Sequence, residues 1–196
     1  MKNMLFIMNP KAGRTTLKNS LVDVLEVFCN NDYAVRTYLT KSADDAERIV
    51  QEEGANYDVI VCAGGDGTLG NTVTGYMKSG IRVPLGYIPC GSTNDFARSM
   101  DIPRETVEAA EMIVKAEPFS IDIGSLNDKN FVYVAAFGMF SDTSYATPQN
   151  MKNIFGHAAY VLQGIKSLAN VPSYKMKVTI DGDEQEGEFI FGMVSN

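Results

Sequence analysis

The sequence predicts an α/β protein in which helices cover both faces of a mainly parallel sheet, followed by a β-rich second region. Three observations support this prediction. Strand-like and helix-like runs alternate over residues 1–120, which is typical of parallel sheets with right-handed crossovers. After Pro118 the pattern changes to alternating strands. Two glycine-rich loops each follow a strand-like run and precede a helix-like one.

The elements of the first region follow from apolar runs and their periodicity. Short apolar runs predict strands over 4–8, 34–40, 58–63 and 83–88. A 3.6-residue apolar repeat predicts the first helix through Leu17, Leu21, Val24, Leu25 and Phe28. We expect further helices ending near Gly54 and over 69–79 and 104–116, with a short helical turn over 94–99.

The second region is predicted from period-two patterns. Expected strands cover 119–125, 130–136, 174–180 and 186–195, and a helix is expected over 151–168. We therefore assign an α/β domain to residues 1–120 and a β-rich domain to residues 121–196. The second domain lacks a closing element at Asn196, so we expect a chain that is incomplete at its C-terminus. The open strand edge there leaves two interpretations, a homodimer or truncation alone.

Composition narrows the classes of partner and compartment. The chain has 196 residues, is 45% hydrophobic and 21% charged, and carries a net charge of −7. This composition excludes a disordered chain and argues against nucleic acid as a partner. The longest apolar stretch, Phe131 to Phe140, is shorter than the roughly 18 residues that a membrane-spanning helix needs. The chain has three cysteines, Cys29, Cys62 and Cys90, and their spacing is not that of a metal site. An odd number of cysteines without such spacing favours a reducing cytoplasm.

The two loops carry the chemical prediction. The first loop reads Gly64-Gly65-Asp66-Gly67-Thr68-Leu69, and the second runs from Pro89 to Arg98. Glycines between a strand and a helix expose backbone N–H groups that bind phosphate. Aspartate would repel a bare phosphate, so Asp66 indicates a Mg²⁺ or a hydroxyl to be oriented. We interpret the pair as a phosphoryl-transfer site.

Four segments should meet at one edge of the sheet, because each follows a predicted strand. They are Asn9–Gly13, Thr40, Gly64–Gly70 and Pro89–Asp95. At that edge Lys11 would counter phosphate charge, whereas Asn9 and Thr40 would hydrogen-bond a base or ribose.

Other interpretations of the same residues stay open. The run Gly65–Gly70 also matches the dinucleotide pattern G-x-G-x-x-G, but it follows the third strand and no acid ends the next strand. A Walker A loop is absent from the sequence. Asp66 would also suit a simple turn. Asn94 and Asp95 would also suit a helix cap.

Taken together, these motifs resemble the soluble bacterial diacylglycerol kinase and lipid kinase family, whose catalytic domain is shared with sphingosine kinases. The resemblance covers the whole chain. Its markers are Asn9–Gly13, Gly64–Leu69, Pro89–Arg98, Ile121–Gly124 and the stretch from Gly156 to Leu168. The first glycine loop alone is shared with NAD kinases and, more loosely, with phosphofructokinases, whereas the combination is specific to the lipid kinases.

The resemblance implies a three-layer α/β nucleotide domain like that of 6-phosphofructokinase, followed by an antiparallel β-sandwich that is incomplete here. It implies ATP and Mg²⁺ as cofactors, with Asp66 orienting the Mg²⁺ or the attacking hydroxyl and the general base beyond residue 196. The implied ATP-binding residues are Asn9, Pro10, Lys11, Ala12, Gly13, Thr40, Gly64, Gly65, Asp66, Gly67, Thr68, Leu69, Gly70 and Ser92. The implied substrate-side residues are Gly91, Asn94 and Asp95.

Two positions depart from the family pattern. Gly70 stands where the family usually has Asn, which removes a side-chain contact, and Ser92 replaces the usual Thr but keeps the hydroxyl. The resulting expectation is a cytoplasmic enzyme at the inner face of the membrane that phosphorylates diacylglycerol or a related lipid alcohol to phosphatidate. The alternatives are a soluble-substrate kinase of the NAD kinase type and a nucleotide-binding fragment without turnover.

Overall fold

The computed structural model describes residues 1–12, 16–127, 129–138 and 173–196. These residues form two compact units, one of Met1–Tyr133 with Asn196 and one of Val134–Ser195. The first unit is built on a parallel sheet and the second on antiparallel strands. The mixed α/β fold class expected from the sequence is therefore confirmed.

The first unit contains a four-stranded parallel sheet in the order β2-β1-β3-β4. Its strands are β1 (Lys2–Met8), β2 (Tyr33–Leu39), β3 (Val59–Gly64) and β4 (Leu85–Pro89). The helices are α1 (Thr16–Asn30), α2 (Asp45–Glu53), α3 (Asp66–Ser79), α4 (Asp95–Ser99) and α5 (Thr106–Lys115). Each predicted strand and helix of this region is present, with shifts of a few residues at the ends.

Apolar residues on both faces of the sheet are buried, which explains why its strands are almost continuously hydrophobic. On one face β1 packs against α1 and α5, through Phe6, Phe28 and Ala109 among others. On the opposite face β1 packs against α2, through Ile7 and Ile49. The result is a three-layer arrangement, as the sequence predicts.

Helix α3 determines where the first glycine loop ends. It begins at Asp66, not at residue 69 as expected, because Gly65 is the N-cap with extended backbone. An acidic residue in the first turn is stabilised by the helix dipole. Midway along the helix, Gly75 lies against the backbone of Glu47 in α2, and a Cβ atom at Gly75 would collide with it. The two helices therefore touch backbone to backbone.

The segment after α5 differs from the expectation of two long strands. It forms a short hairpin of β5 (Gly124–Leu126) and β6 (Lys129–Phe131). The N–H of Asn130 donates to Thr74 Oγ1 of α3 over 3.4 Å. This contact attaches the hairpin to the first unit. The compact units divide after Tyr133, and the domain bounds 1–120 and 121–196 expected from the sequence stay a prediction.

The described part of the second unit consists of two antiparallel pairs. One pair joins β7 (Val134–Gly138) to β10 (Phe191–Ser195), and the other joins β8 (Tyr174–Ile180) to β9 (Asp183–Phe189). The turn between β8 and β9 places Asp181 and Gly182 at φ 51° and 95°, as expected of a tight hairpin. The run expected as one strand over 186–195 is divided between β9 and β10. The helix predicted over 151–168 lies outside the described residues.

Candidate active site

Four chain segments meet at the carboxyl edge of the parallel sheet, as the sequence predicts. Backbone hydrogen bonds continue past the strand ends and hold them there. The N–H of Asn9 donates to Ala63 O over 2.9 Å, and the N–H of Thr40 donates to Met8 O over 2.9 Å. The N–H of Cys90 donates to Gly64 O over 2.7 Å. The start of each segment is thus fixed by the sheet itself.

Asn9 connects the first segment to the first glycine loop. Its Nδ2 donates to Thr68 Oγ1 over 2.9 Å, and its Oδ1 accepts the N–H of Lys11 over 3.0 Å. The N–H of Ala12 donates to the Asn9 carbonyl over 3.1 Å. Lys11 is exposed and Pro10 half-buried, so the lysine side chain reaches solvent at the edge. Gly13 lies outside the described residues.

The glycines of the first loop serve two different purposes. A Cβ atom at Gly64 would lie 2.5 Å from the Thr68 side chain, so this position has to be small. A Cβ atom at Gly67 or Gly70 would meet nothing within 4 Å. Those two glycines therefore leave open space beside the helix start. The first N–H groups of a helix have no partner four residues earlier within it and are able to bind a ligand.

The second loop is locked by one side chain. Asn94 is 6% exposed and has a left-handed backbone with φ 50°. Its Oδ1 accepts the N–H of Gly91 over 2.8 Å, and its Nδ2 donates to the Gly91 carbonyl over 2.9 Å. Asn94 occupies the N-cap of α4 but makes no side-chain cap hydrogen bond. The Asn94 side chain therefore shapes the turn before α4 instead of bonding the first N–H groups of that helix. Asp95 opens α4, and Ser92 is exposed.

The two loops touch each other directly. A Cβ atom at Gly91 would lie 2.6 Å from the Cα of Gly65. The buried Tyr87 hydroxyl lies 3.1 Å from Gly64 O and 3.4 Å from Asn94 Oδ1, within donating distance of both. Thr93 Oγ1 donates to Asp66 Oδ2 over 3.1 Å. Sequence reasoning missed the parts played by Tyr87 and Thr93, because both contacts join residues far apart in the chain.

Asp66 has one satisfied and one unsatisfied carboxylate oxygen. Its Oδ1 is buried and has no hydrogen-bond partner among the described residues. A buried polar atom without a partner is costly and indicates a ligand, ion or water. The described part of the chain contains no cluster of three or more His, Cys, Asp or Glu side chains around which a metal ion would sit. A cation at Asp66 would therefore need further ligands from a nucleotide or water.

A second carboxylate adds to the negative charge near Asp66. Burial raises the pKa of Asp95, the charge of Asp66 raises it further, and Arg98 partly lowers it. The neighbouring thiols carry no charge at neutral pH, because burial raises the pKa of Cys62 to about 12 and that of Cys90 to about 11. Two carboxylates, opposed in part by Arg98, thus contribute to the local charge, and such carboxylates attract cations.

Comparison with known protein families assigns the chain. The family described as "Diacylglycerol kinase catalytic domain" matches residues 3–126, which include both glycine loops. The chain belongs to this family. The resemblance deduced from the motifs is thereby confirmed.

Individual proteins similar to this chain support the assignment to the diacylglycerol kinase family. The chain is 35% identical to a diacylglycerol kinase of Bacillus subtilis (strain 168) over 197 residues, covering 100% of this chain and 65% of the relative. It is 34% identical to a diacylglycerol kinase of Staphylococcus aureus (strain JH9) over 202 residues, covering 100% of this chain and 63% of that relative. The chain thus spans less than two thirds of the length of these relatives.

Solved structures give the same result for the fold. A crystal structure of a diacylglycerol kinase from Bacillus anthracis str. Sterne superposes with a TM-score of 0.80 and 28% identity, covering 100% of this chain and 64% of the other. Among the described residues of this family member, no helix is both long and apolar enough to span a membrane.

Proposed function

We propose that the protein is a lipid kinase that transfers the γ-phosphoryl group of Mg·ATP to the free hydroxyl of diacylglycerol, giving phosphatidate. The observation that carries this proposal is the family match over residues 3–126, which contains both glycine loops and Asp66. Phosphoryl transfer requires mainly positioning and neutralisation of charge. The carboxyl edge of the sheet offers groups for both tasks.

The nucleotide would bind along the carboxyl edge, where the four segments meet. Free N–H groups at the start of α3 would bind its phosphates, as helix N-termini commonly do. Gly67 and Gly70 leave room for this approach, and the exposed Lys11 would supply positive charge. Thr40 is 7% exposed, so its contribution to binding would come through the local backbone more than through its side chain.

The residues at the site fit a magnesium ion held with the nucleotide. Mg²⁺ prefers oxygen ligands, usually one or two carboxylates together with substrate phosphates and water. Asp66 Oδ1 is a buried carboxylate oxygen without a protein partner in the described chain, so it is the group that would contact the ion. When bound, the ion would neutralise charge on the transferred phosphoryl group.

The acceptor would be diacylglycerol or a related lipid alcohol, reached at the cytoplasmic surface of the membrane. The names of the curated relatives support a lipid acceptor. The net charge of −7 makes simple electrostatic adhesion to anionic lipid unfavourable, so we expect recognition of the lipid itself. The homodimer expected from the sequence stays a prediction, which light scattering would check.

The test is phosphate transfer by the full-length protein that carries this chain. Labelled Mg·ATP is offered with diacylglycerol in mixed micelles and, separately, with NAD. We expect labelled phosphatidate and no labelled NADP. Labelled NADP would instead assign a soluble-substrate kinase, and nucleotide binding without any transfer would contradict kinase activity.

The substitution Asp66→Asn sharpens this test. It keeps the size of the side chain but removes the charge, so we expect kcat to fall by about 100-fold or more. Circular dichroism should be unchanged and the melting temperature should not fall, because asparagine keeps an acceptor for Thr93 and the change relieves the repulsion between residues 66 and 95. Asp23→Asn, the same change at an exposed position of α1, is the matched control and should keep full activity. Near-normal phosphatidate formation by Asp66→Asn would overturn the assigned role.

A further inference from the structure

We infer that Thr93 is a positioning residue, whose hydroxyl fixes the orientation of the Asp66 carboxylate and directs its Oδ1 oxygen toward a bound cation. The inference rests on the proposed function, because it deepens the role that Asp66 has there. Its basis is a hydrogen bond between the two glycine loops, in which Thr93 Oγ1 donates to Asp66 Oδ2 over 3.1 Å.

The hydrogen bond from Thr93 restricts the rotation of the Asp66 carboxylate. The χ2 angle of aspartate has a broad, roughly two-fold distribution, so an unrestrained aspartate carboxylate samples many orientations. A donor that binds Oδ2 removes most of that freedom. The other oxygen, Oδ1, is then left buried and without a partner in the described chain. One oxygen thus holds the group in place, and the other is available to a ligand.

The backbone that carries the Thr93 hydroxyl is itself held in place by Asn94. A hydroxyl can orient a neighbour only if its own backbone is held. Thr93 lies between Gly91 and Asn94, and the Asn94 side chain binds both the N–H and the carbonyl of Gly91. The left-handed backbone of Asn94 fixes the direction in which the chain leaves the turn. Thr93 is therefore presented by a closed, doubly bonded turn.

The two glycine loops are in direct backbone contact, which limits the distance between Thr93 and Asp66. Gly65 and Gly91 approach so closely that a Cβ atom on Gly91 would lie 2.6 Å from the Cα of Gly65. The Tyr87 hydroxyl is within hydrogen-bond distance of Gly64 O on one loop and Asn94 Oδ1 on the other. Because the backbones are in contact, the span from Thr93 to Asp66 cannot vary much. The hydrogen bond is therefore a built feature of the site.

The negative charge of Asp95 lies near that of Asp66. Asp95 lies close enough to Asp66 for the two carboxylates to repel each other. A hydrogen bond donated to a charged oxygen is worth more than one between neutral groups. The Thr93 hydroxyl thus partly offsets the repulsion and stabilises the orientation in which Asp66 Oδ2 accepts its hydrogen bond.

The experiment compares Thr93→Val with Thr93→Ser in the full-length protein. Valine has the shape of threonine without the donor, and serine restores the donor. Binding of Mn²⁺ in the presence of ADP is followed by the loss of the free Mn²⁺ signal in electron paramagnetic resonance beyond the loss that ADP alone causes. We expect Thr93→Val to weaken Mn²⁺ binding by about tenfold, the usual size for a lost hydrogen bond to a charged group, and Thr93→Ser to restore most of it.

Steady-state kinetics provide the second readout. If Thr93 positions Asp66, Thr93→Val lowers kcat about tenfold and raises the Mg²⁺ requirement, with little change in KM for diacylglycerol. Thr37→Val makes the same chemical change at an exposed position of β2 and should leave all three quantities unchanged. Melting temperatures of the variants should agree with the wild type, since Thr93 is exposed.

The outcomes separate this inference from the proposed function. Wild-type Mn²⁺ affinity in Thr93→Val, or equal weakening in Thr93→Val and Thr93→Ser, overturns the positioning role while lipid phosphorylation stands. A loss of Mn²⁺ affinity that serine restores, in a protein that phosphorylates no lipid, supports the positioning role and overturns the lipid kinase. A wild-type protein that binds no Mn²⁺ with ADP overturns the inference outright.

Discussion

The first glycine loop passes from β3 directly into a helix of 14 residues, whereas the second passes from β4 through a closed turn into a helix of 5 residues. In the first loop the N–H groups of Thr68 and Leu69 both donate to Gly65 O, so backbone bonds set its shape. In the second loop the Asn94 side chain performs that task.

This difference shows two ways to shape a ligand-binding loop. A loop fixed by backbone bonds keeps its conformation through most side-chain changes, provided that its glycines stay small. A loop fixed by one side chain depends on that residue. The two loops meet at Gly65 and Gly91, so damage to either should affect both.

The largest effect on stability is expected from Gly91→Ala, which breaks the contact between the loops. The new Cβ atom would lie 2.6 Å from Gly65 Cα and 2.7 Å from Asn94 Oδ1. Because neither neighbour can move without shifting a loop, we expect the free energy of unfolding to fall by about 3 kcal/mol. Urea unfolding measures this change. A loss below about 0.5 kcal/mol, the size of a neutral surface substitution, would show that the loops do not constrain each other.

Asn94→Ala tests whether one side chain holds the second loop. It removes both hydrogen bonds to Gly91 and places alanine in a left-handed backbone. We expect the free energy of unfolding to fall by about 2 kcal/mol. Asn94→Asp keeps an acceptor for the Gly91 N–H but loses the donor to its carbonyl, so an intermediate loss is expected. If the alanine variant unfolds like the wild type, the backbone also holds this loop.

Gly70→Ala tests a glycine of α3 at which, in contrast to Gly91, an added Cβ atom has room. A Cβ atom added at Gly70 would have no neighbouring atom within 4 Å, and Gly70 lies inside α3. Glycine in a helix interior is less favourable than alanine by about 0.5–1 kcal/mol. We therefore expect the free energy of unfolding to rise by that amount. A decrease would mean that the space beside α3 is needed by the folded protein itself.

The smallest effect is expected from Asp95→Asn, and it depends on pH. Since burial and Asp66 raise the pKa of Asp95 in the folded protein, ionising this acid costs the folded state more than the unfolded chain. The wild type therefore loses stability as pH rises from the ordinary value of 3.8 through the raised one. At neutral pH the variant should melt slightly above the wild type. Below pH 3.8 this advantage should disappear, and an advantage that persists there would contradict the electrostatic explanation.

The sequence predicted most of the first unit because its signals are local. Apolar runs and helical periodicity identified each strand and each long helix, and parallel topology then placed Asn9, Thr40, Asp66 and Gly91 at one edge. The start of α3 was misplaced, because glycines usually indicate a turn, whereas here Gly65 is only the N-cap.

Contacts across the loops could not be predicted in the same way. Thr93 is one of four adjacent polar residues, Ser92 to Asp95, and nothing in their order shows which one turns toward Asp66. The role of Tyr87 is equally hidden, because a tyrosine in an apolar strand usually packs in the core. Its hydroxyl contacts exist only once β3 and β4 are paired.

The close packing of Gly75 on Glu47 has a consequence for how the site can adapt. Because α3 rests on the backbone of α2, it has no room to move toward that neighbour or to roll past it. The helix that carries Asp66 at its start therefore cannot shift toward α2, whatever occupies the edge. A bulkier nucleotide would then meet α3 on one side and the doubly bonded turn of residues 91–94 on the other. Selectivity for the nucleotide would therefore be decided by the fixed width of this edge.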